Sequence, residues 1–312
     1  MIISASRRTD IPAFYSSWFI NRLREGFVYV KNPMNSRQIS KVSLNHEVVD
    51  CIVFWTKNAV PLMDKLDIID SMGYPYYFLW TITPYGKDIE SNVPDKAKMI
   101  ESFKELSNRI GSRRVIWRYD PIIINRRFTI EYHSENFSAM CRLLSRHTNK
   151  CIFSYVDLYT KTSKHAKNIL EQEINTQNML KMAKCFSEIA TANHISLETC
   201  SEEIELEQFG IGHSACINKE TVEDVIGSSI WVKKASQRPF CQCIESVDIG
   251  AYDCCLHGCI YCYANSSAKA LCVNEKKHNA KFPLLIGGIN ANDNIVEKVC
   301  KTLKNTQIEL LK

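Results

Sequence analysis

The stretch Val49–Asn58, with the sequence VDCIVFWTKN, opens with a largely apolar run rich in β-branched and aromatic residues and ends in polar residues. Five more short apolar runs recur along the chain, and longer segments with a helical period separate them. Such runs predict buried strands, and their alternation with helices predicts a parallel sheet with right-handed crossovers. The predicted strands are Met1–Ala5, Val49–Trp55, Tyr76–Thr81, Arg114–Trp117, Cys151–Val156 and His194–Leu197.

Helical segments lie between these strands. Asn92 ahead of Pro94 suits a helix start, and Gly111 after Ile110 suits a left-handed cap at a helix end. The predicted helices are Pro12–Arg24, Val60–Ser71, Pro94–Ile110, Thr129–His147 and Asn175–Ala190.

One further element interrupts this alternation near the start of the chain. Phe27–Val30 and Ile39–Leu44 alternate with period two across a loop that contains asparagine and proline, which predicts an extra hairpin. The six strand–helix units predict an α/β fold, and more specifically a partial (β/α)6 TIM-like barrel, with a doubly wound open sheet as the alternative.

Composition narrows the class of protein. The chain has 312 residues, of which 45% are hydrophobic and 23% charged, as in globular proteins with a sizeable core. No apolar run reaches the roughly 18 residues of a membrane span, and no signal peptide is recognisable, so we expect a cytoplasmic protein. The net charge of +5 does not indicate a particular partner. In a reducing compartment, the 14 cysteines favour metal ligation over disulfides.

Polar side chains follow the predicted strands. In parallel α/β folds ligands bind beyond the carboxyl ends of the strands, so these positions predict a shared polar rim. Loop starts favour short polar residues in any case, but this does not account for the long cations Lys57, Arg118 and Lys161. The rim residues that we single out are Arg8, Lys57, Arg118, Asp120, Asp157, Tyr159, Lys161 and Cys200.

A cysteine triplet, Cys255, Cys259 and Cys262, lies in the run CLHGCIYC near the C-terminus. Three thiolates at this CxxxCxxC spacing suit three corners of a cubane iron–sulfur cluster, and Gly258 allows the backbone to turn tightly around it. The fourth iron would stay open to the amino and carboxylate groups of S-adenosylmethionine (SAM). The spacing therefore predicts a [4Fe–4S] cluster that binds SAM and cleaves it reductively.

The triplet, with the aromatic Tyr261 before its last cysteine, resembles the signature of the radical SAM superfamily, whose usual fold is a complete or partial (β/α) barrel. Arg118–Pro121 is similar to a motif of the spore-photoproduct-lyase-like branch. The runs Ser4–Pro12, Phe54–Asn58 and Asp248–Asn265 resemble an uncharacterised bacterial family, a nearly chain-length domain of unknown function with a radical-SAM-like cysteine cluster at its C-terminal end.

The chain departs from the superfamily in the position of the triplet. Radical SAM proteins ordinarily carry the three cysteines after the first barrel strand, whereas here they follow the last one. The resemblance therefore implies a permuted chain, or a C-terminal segment that folds back over the barrel mouth. We accordingly predict a partial barrel over residues 1–200 and a cysteine-rich iron–sulfur segment over residues 201–312, packed on the barrel.

Four more thiols, those of Cys200, Cys216, Cys241 and Cys243, are enough for a fully ligated second iron–sulfur cluster. Their spacing is long, and free cysteines are often small buried hydrophobes, so both interpretations stay open. Zinc is the alternative for the triplet, and it would need a fourth donor from Cys241, Cys243, Cys254 or His257.

The functional hypothesis is that the triplet's cluster cleaves SAM and that the radical abstracts hydrogen from an unknown substrate over the rim. We assign Lys57, Arg118, Asp120 and Tyr159 to the reaction, and Tyr261, Asp157, Lys161 and Arg8 to cofactor binding. A ferredoxin or flavodoxin would supply the electron, and no membrane partner is expected. The competing hypotheses are a zinc-dependent nucleic-acid-binding protein, with Lys233, Lys234 and Arg238 against phosphates, and a non-catalytic iron–sulfur carrier or sensor.

Overall fold

The computed structural model describes residues 1–156, 169, 174–235 and 239–305. In chain order the strands are β1 (Ile2–Ala5), β2 (Phe27–Asn32), β3 (Asn35–Ser43), β4 (Cys51–Thr56), β5 (Tyr76–Thr81), β6 (Val115–Ile122), β7 (Lys150–Tyr155), β8 (Ser196–Cys200), β9 (Gly212–Ser214), β10 (Val247–Asp248) and β11 (Asn294–Glu297). The helices are α1 (Ile11–Phe14), α2 (Ser16–Glu25), α3 (Val60–Met63), α4 (Leu66–Ser71), α5 (Lys96–Ile110), α6 (Ile130–Leu144), α7 (Thr176–Ala192), α8 (Lys219–Ile226) and α9 (Ala268–Glu275).

Within the described ranges, eight strands form one parallel sheet in the order β10-β1-β4-β5-β6-β7-β8-β9. All six strands predicted from the apolar runs are in it, so the α/β class is confirmed. The sheet is open, with the short strands β10 and β9 at its two edges, and it does not close into a barrel. These edge strands have two and three residues, too few to produce a recognisable apolar run.

The predicted hairpin is also present. β2 and β3 pair antiparallel, and β11 from the end of the chain joins β3 in parallel to complete a second sheet. The C-terminal segment therefore contributes to both sheets, with β9 and β10 at the edges of the large one and β11 in the small one.

Two apolar cores sandwich the large sheet because alternate residues of a strand point to opposite faces. Phe54 and Phe78 belong to the core shared with the helices, whereas Val53 and Leu79 belong to the core on the other face. Residues 215–235, including α8, and residues 239–244 contribute side chains that cover that other face. Burial of each such side chain contributes roughly 2–3 kcal/mol, which is why both faces are apolar.

Several helix boundaries differ from the sequence prediction. The first predicted helix is divided by Tyr15, whose backbone leaves the helical region at φ −129°. Asp95, rather than Asn92, caps the start of α5, and its side chain accepts a hydrogen bond from the amide of Ala97. Gly111 does have a positive φ of 94°, but its ψ of 144° is extended, so it is not the predicted left-handed cap.

Arg118, Asp120 and Pro121 lie within β6 rather than after it, because this strand extends to Ile122. The pairing of β6 with β7 is irregular between Tyr119 and Ile122, and this irregularity marks the region that the sequence indicated as a loop. Among the described residues, no helix combines the length and apolar character required to cross a membrane.

Candidate functional site

A cavity of about 490 Å³ lies at the carboxyl ends of the parallel strands, where a ligand site was predicted. It brings together most of the residues singled out from the sequence. Its lining includes Arg8, Lys57, Arg118, Asp120, Cys200, Cys216, Cys241, Cys243, Cys255, Cys259, Tyr261 and Cys262. Asp157, Tyr159 and Lys161 lie outside the described residues, so their assigned roles stay predictions.

The C-terminal segment carries the cysteine triplet to this cavity. The amide of Ile260 donates to the carbonyl of Ile89 at 3.0 Å, and the amide of Asn92 donates to the carbonyl of His257 at 2.9 Å. These contacts attach the cysteine loop to the segment that follows β5. Tyr15 attaches it to the first helical region, because its hydroxyl donates to the carbonyl of Cys254 at 2.6 Å.

The turn around the triplet requires Gly258. Its φ is +67°, which is favourable for glycine, and a Cβ atom there would lie only 2.2 Å from Oγ of Ser91. Asn265 closes the other side of the loop, because its side-chain amide donates to the carbonyl of Cys255 at 2.7 Å. The turn at Gly258 is predictable from the sequence, but its close contact with a serine 167 residues away is not.

Backbone N–H groups point at two of the three sulfur atoms. The amide of His257 hydrogen-bonds the thiol of Cys255, and the amides of Ala264 and Asn265 hydrogen-bond that of Cys262. Such N–H···S contacts stabilise thiolate over thiol, and hydrogen bonds to sulfur tune the reduction potential of iron–sulfur clusters. The cysteine loop is thus shaped to hold charged sulfur ligands.

Burial acts in the opposite direction on the same thiols. It raises the pKa of Cys255 well above its ordinary value and that of Cys259 to about 12, where the charge of Lys57 only partly offsets it. Burial raises the pKa of Cys262 as well. The metal-free thiols therefore keep their protons near neutral pH, and a metal that binds them must displace these protons.

Asp10 joins the cysteine loop to the end of β1. One carboxylate oxygen accepts from Nε2 of His257 at 2.7 Å and from the amide of Lys57 at 2.7 Å. The other oxygen accepts from Thr56 Oγ1 at 2.9 Å and from the amide of Ala13 at 2.9 Å, which caps α1. His257 is nearly fully buried, and its Nδ1 has no hydrogen-bond partner among the residues that the structure describes.

The ammonium group of Lys57 is ion-paired rather than free. It lies 2.7 Å from a carboxylate oxygen of Glu90, a residue that also contacts Lys96, Thr83 and the hydroxyl of Tyr261. Burial opposes ionisation of Glu90, but the two lysines more than compensate and lower its pKa to about 2. Sequence reasoning missed Glu90, because nothing in its local pattern distinguishes it from a loop carboxylate.

Arg118 is likewise paired and almost fully buried. Its guanidinium contacts the carboxylate of Asp120 and the sulfur of Cys216, and it lies 5.1 Å from the centre of the Trp55 ring. Burial opposes its charge, but Cys216 and Asp120 raise the pKa of Arg118 further above its usual range. Arg118 and Asp120, both predicted at the rim, therefore connect the strand ends to the second cysteine set.

The second cysteine set, Cys200, Cys216, Cys241 and Cys243, is gathered at this wall of the cavity, and all four residues are buried. The sulfur atoms of Cys200 and Cys216 are 2.9 Å apart, and the thiol of Cys243 hydrogen-bonds that of Cys216. Across the ranges that the structure describes, no three His, Cys, Asp or Glu side chains form a group placed to hold a single metal ion.

Fold and site together define an α/β protein whose open parallel sheet has a cavity lined by cysteines and arginines at its strand ends. The chain belongs to the family described as DUF1848, a domain of unknown function, whose model matches residues 2–264. This match includes the cysteine triplet. No curated protein matches the chain.

A search of solved structures returns a putative alpha-L-fucosidase from Bacteroides thetaiotaomicron, with 8% sequence identity and a TM-score of 0.26. The alignment covers 70% of this chain and 82% of that one. A similarity this low carries no argument about fold or function.

Proposed function

We propose that the protein is a radical SAM enzyme in which Cys255, Cys259 and Cys262 hold a [4Fe–4S] cluster. The observation that carries the proposal is that these three thiols line the same cavity as the polar residues of the strand ends. A cluster with one open iron, when bound, supplies one-electron reductive cleavage of SAM to methionine and a 5′-deoxyadenosyl radical.

Strand order supports the proposal. In the radical SAM superfamily the cysteines follow the first barrel strand. Here they follow β10, which comes last in chain order among the strands of the large sheet but occupies its edge beside β1. We infer that the chain is permuted, because its C-terminal strand and cysteine loop take the place that the first strand and its loop have in the superfamily.

The residues of the cysteine loop fit an iron–sulfur cluster. Backbone amides donate to the sulfurs of Cys255 and Cys262, and the unpartnered Nδ1 of His257 is available for a further hydrogen bond inside the loop. A cubane distributes its ligands over separate iron atoms, so its thiolates do not converge on one point, whereas zinc needs four converging donors. The absence of a converging group among the described residues therefore favours the cluster over zinc.

Other residues would hold and orient the reactants. Asp10 fixes the cysteine loop through His257, and Glu90 fixes Lys57 and Tyr261 beside the triplet. The cavity has the volume of a small-molecule site, for which a non-catalytic carrier has no need. A ferredoxin or flavodoxin would deliver the electron.

The second cysteine set would hold an auxiliary cluster at the opposite wall of the same cavity. Its four thiols come from three chain segments and meet beside the guanidinium of Arg118, whose positive charge favours thiolate ligands. In this proposal Arg118 and Asp120 contact the substrate between the two cysteine sets.

Two variants test the function directly. In anaerobically purified protein given SAM and dithionite, Cys259→Ala should abolish 5′-deoxyadenosine formation because it removes one iron ligand. Cys272→Ala is the matched control, because Cys272 is exposed on α9 and should leave formation unchanged. Equal activity of the two variants, or a colourless wild type that contains zinc and no iron, would refute the proposal.

A further inference from the structure

Two arginines follow β1 at the edge of the cavity, and Asp248 of the neighbouring strand β10 fixes the turn that carries them. The carboxylate of Asp248 accepts from Oγ of Ser6 at 2.7 Å and from the amide of Arg7 at 2.8 Å. The turn is tightly packed, because a Cβ atom on Gly250 would lie 2.0 Å from Oγ of Ser6. The backbone that carries Arg7 and Arg8 at the end of β1 is therefore held in place.

The guanidinium groups of these two arginines have much weaker partners than the other cations of the cavity. Both terminal nitrogens of Arg7 lie 3.3 Å from the hydroxyl of Ser246. Arg8 reaches the carbonyl of Gly250 at 3.5 Å, and its Nε lies 3.9 Å from Asp248. By contrast, Lys57 and Arg118 are held by close carboxylates.

The guanidinium group of each arginine lies over an aromatic ring. The guanidinium carbon of Arg7 lies 5.1 Å from the centre of the Trp55 ring, and that of Arg8 lies 5.4 Å from the centre of the Tyr252 ring. Such cation–π contacts orient a guanidinium without using its N–H donors. Each arginine has five of these donors in a planar fork that matches an oxyanion.

We propose that Arg7 and Arg8 form a binding site for a phosphate group of the substrate, which would then be a phosphorylated small molecule. Two guanidinium groups on consecutive residues that both line the cavity match the charge and the several oxygens of a phosphate, whereas a carboxylate is satisfied by one. The volume of the cavity suits a small molecule rather than a polymer. That the ligand is a substrate rests on the proposed function, whereas the phosphate-binding site itself does not.

Phosphate binding to the full-length holoprotein tests the inference, with inorganic phosphate and methyl phosphate as probes in isothermal titration calorimetry. Wild type should bind both. The double variant Arg7→Gln/Arg8→Gln should bind at least about tenfold more weakly, because two charge-assisted contacts are lost. Arg37→Gln is the matched control, because Arg37 is exposed on β3 and should leave binding unchanged.

The variant Arg8→Lys guards against a double variant that fails to fold, because it keeps the charge and loses the fork. It should weaken phosphate binding by a smaller factor than the double variant, and added salt should weaken phosphate binding by the wild type. The inference is overturned if wild type shows no saturable binding, if acetate binds as tightly as phosphate, or if the double variant binds as tightly as wild type.

Failure of the inference is distinguishable from failure of the proposed function. Arginine-dependent phosphate binding without 5′-deoxyadenosine formation would leave the phosphate site intact and remove the radical SAM assignment. Formation of 5′-deoxyadenosine in a protein that does not bind phosphate would do the reverse.

Discussion

Replacing Asp10 by asparagine should both destabilise the protein and loosen the cysteine loop. The carboxylate of Asp10 accepts from four donors, among them Nε2 of His257 and the amide of Lys57, each at 2.7 Å. In the variant an NH₂ group replaces one oxygen, so either the amide of Ala13, or both His257 Nε2 and the amide of Lys57, lose their acceptor, because Thr56 reaches both oxygens. Asp10 is 5% exposed, so water cannot replace the lost contacts.

The magnitude follows from the lost contacts. A hydrogen bond to a charged group contributes about 1.5–3 kcal/mol, so the loss of one or two of them in Asp10→Asn should lower the free energy of unfolding by about 1.5–6 kcal/mol. The matched control is Asp95→Asn, at the exposed start of α5, where asparagine caps a helix as well as aspartate and the cost should stay below about 0.5 kcal/mol.

Urea denaturation followed by circular dichroism measures both variants, and iron per chain measures retention of the cluster. Asp10→Asn should lose iron during anaerobic gel filtration, whereas Asp95→Asn should retain it. If both variants unfold at the same urea concentration as wild type, the contacts of Asp10 do not hold the loop and the reasoning is refuted.

Three further predictions concern the cysteine loop, the second cysteine set and the core. Gly258→Ala should lower iron content because the new Cβ would collide with a neighbouring side chain, whereas Gly288→Ala, which meets nothing within 4 Å, should retain it; equal iron in both would contradict the predicted contact. With all three cysteines of the triplet replaced by alanine, the protein should still bind iron and sulfide on the second set; iron-free protein would remove the auxiliary cluster. Burial lowers the pKa of His133 from 6.5 to about 4, so unfolded chains gain its proton first as pH falls. Stability should therefore drop by about 2 kcal/mol between pH 7 and pH 5 by urea titration, and His133→Gln should abolish that part of the drop; an unchanged pH profile in the variant would contradict the assignment.

The large sheet was predictable from sequence because parallel strands that are buried on both faces consist of continuous apolar runs. Tyr76–Thr81 was predicted to the residue. The short strands β9 and β10 escaped detection, because the pairing of two or three residues depends on the neighbouring strand rather than on their own pattern. Because β9 and β10 form the two edges of the large sheet, its open edges were not predictable either.

The cavity lining was predictable to a similar extent. Arg8, Lys57 and Arg118 were placed at the strand ends by position alone, and the structure brings them to the cavity. Their electrostatic partners were not predictable, because Lys57 and Glu90 are 33 residues apart and meet through a loop conformation that no local pattern encodes. The same holds for Asp248, which accepts a hydrogen bond from Ser6, 242 positions earlier in the chain.

An open iron on the cysteine triplet is the central claim, and electron paramagnetic resonance of the dithionite-reduced protein tests it most directly. The reduced protein should give the spectrum of a [4Fe–4S]⁺ cluster, and added SAM should shift its g values because SAM binds the iron that lacks a cysteine. The Cys259→Ala variant should lack this response. A reduced wild-type spectrum that SAM leaves unchanged, or a protein without any iron signal, would contradict the account.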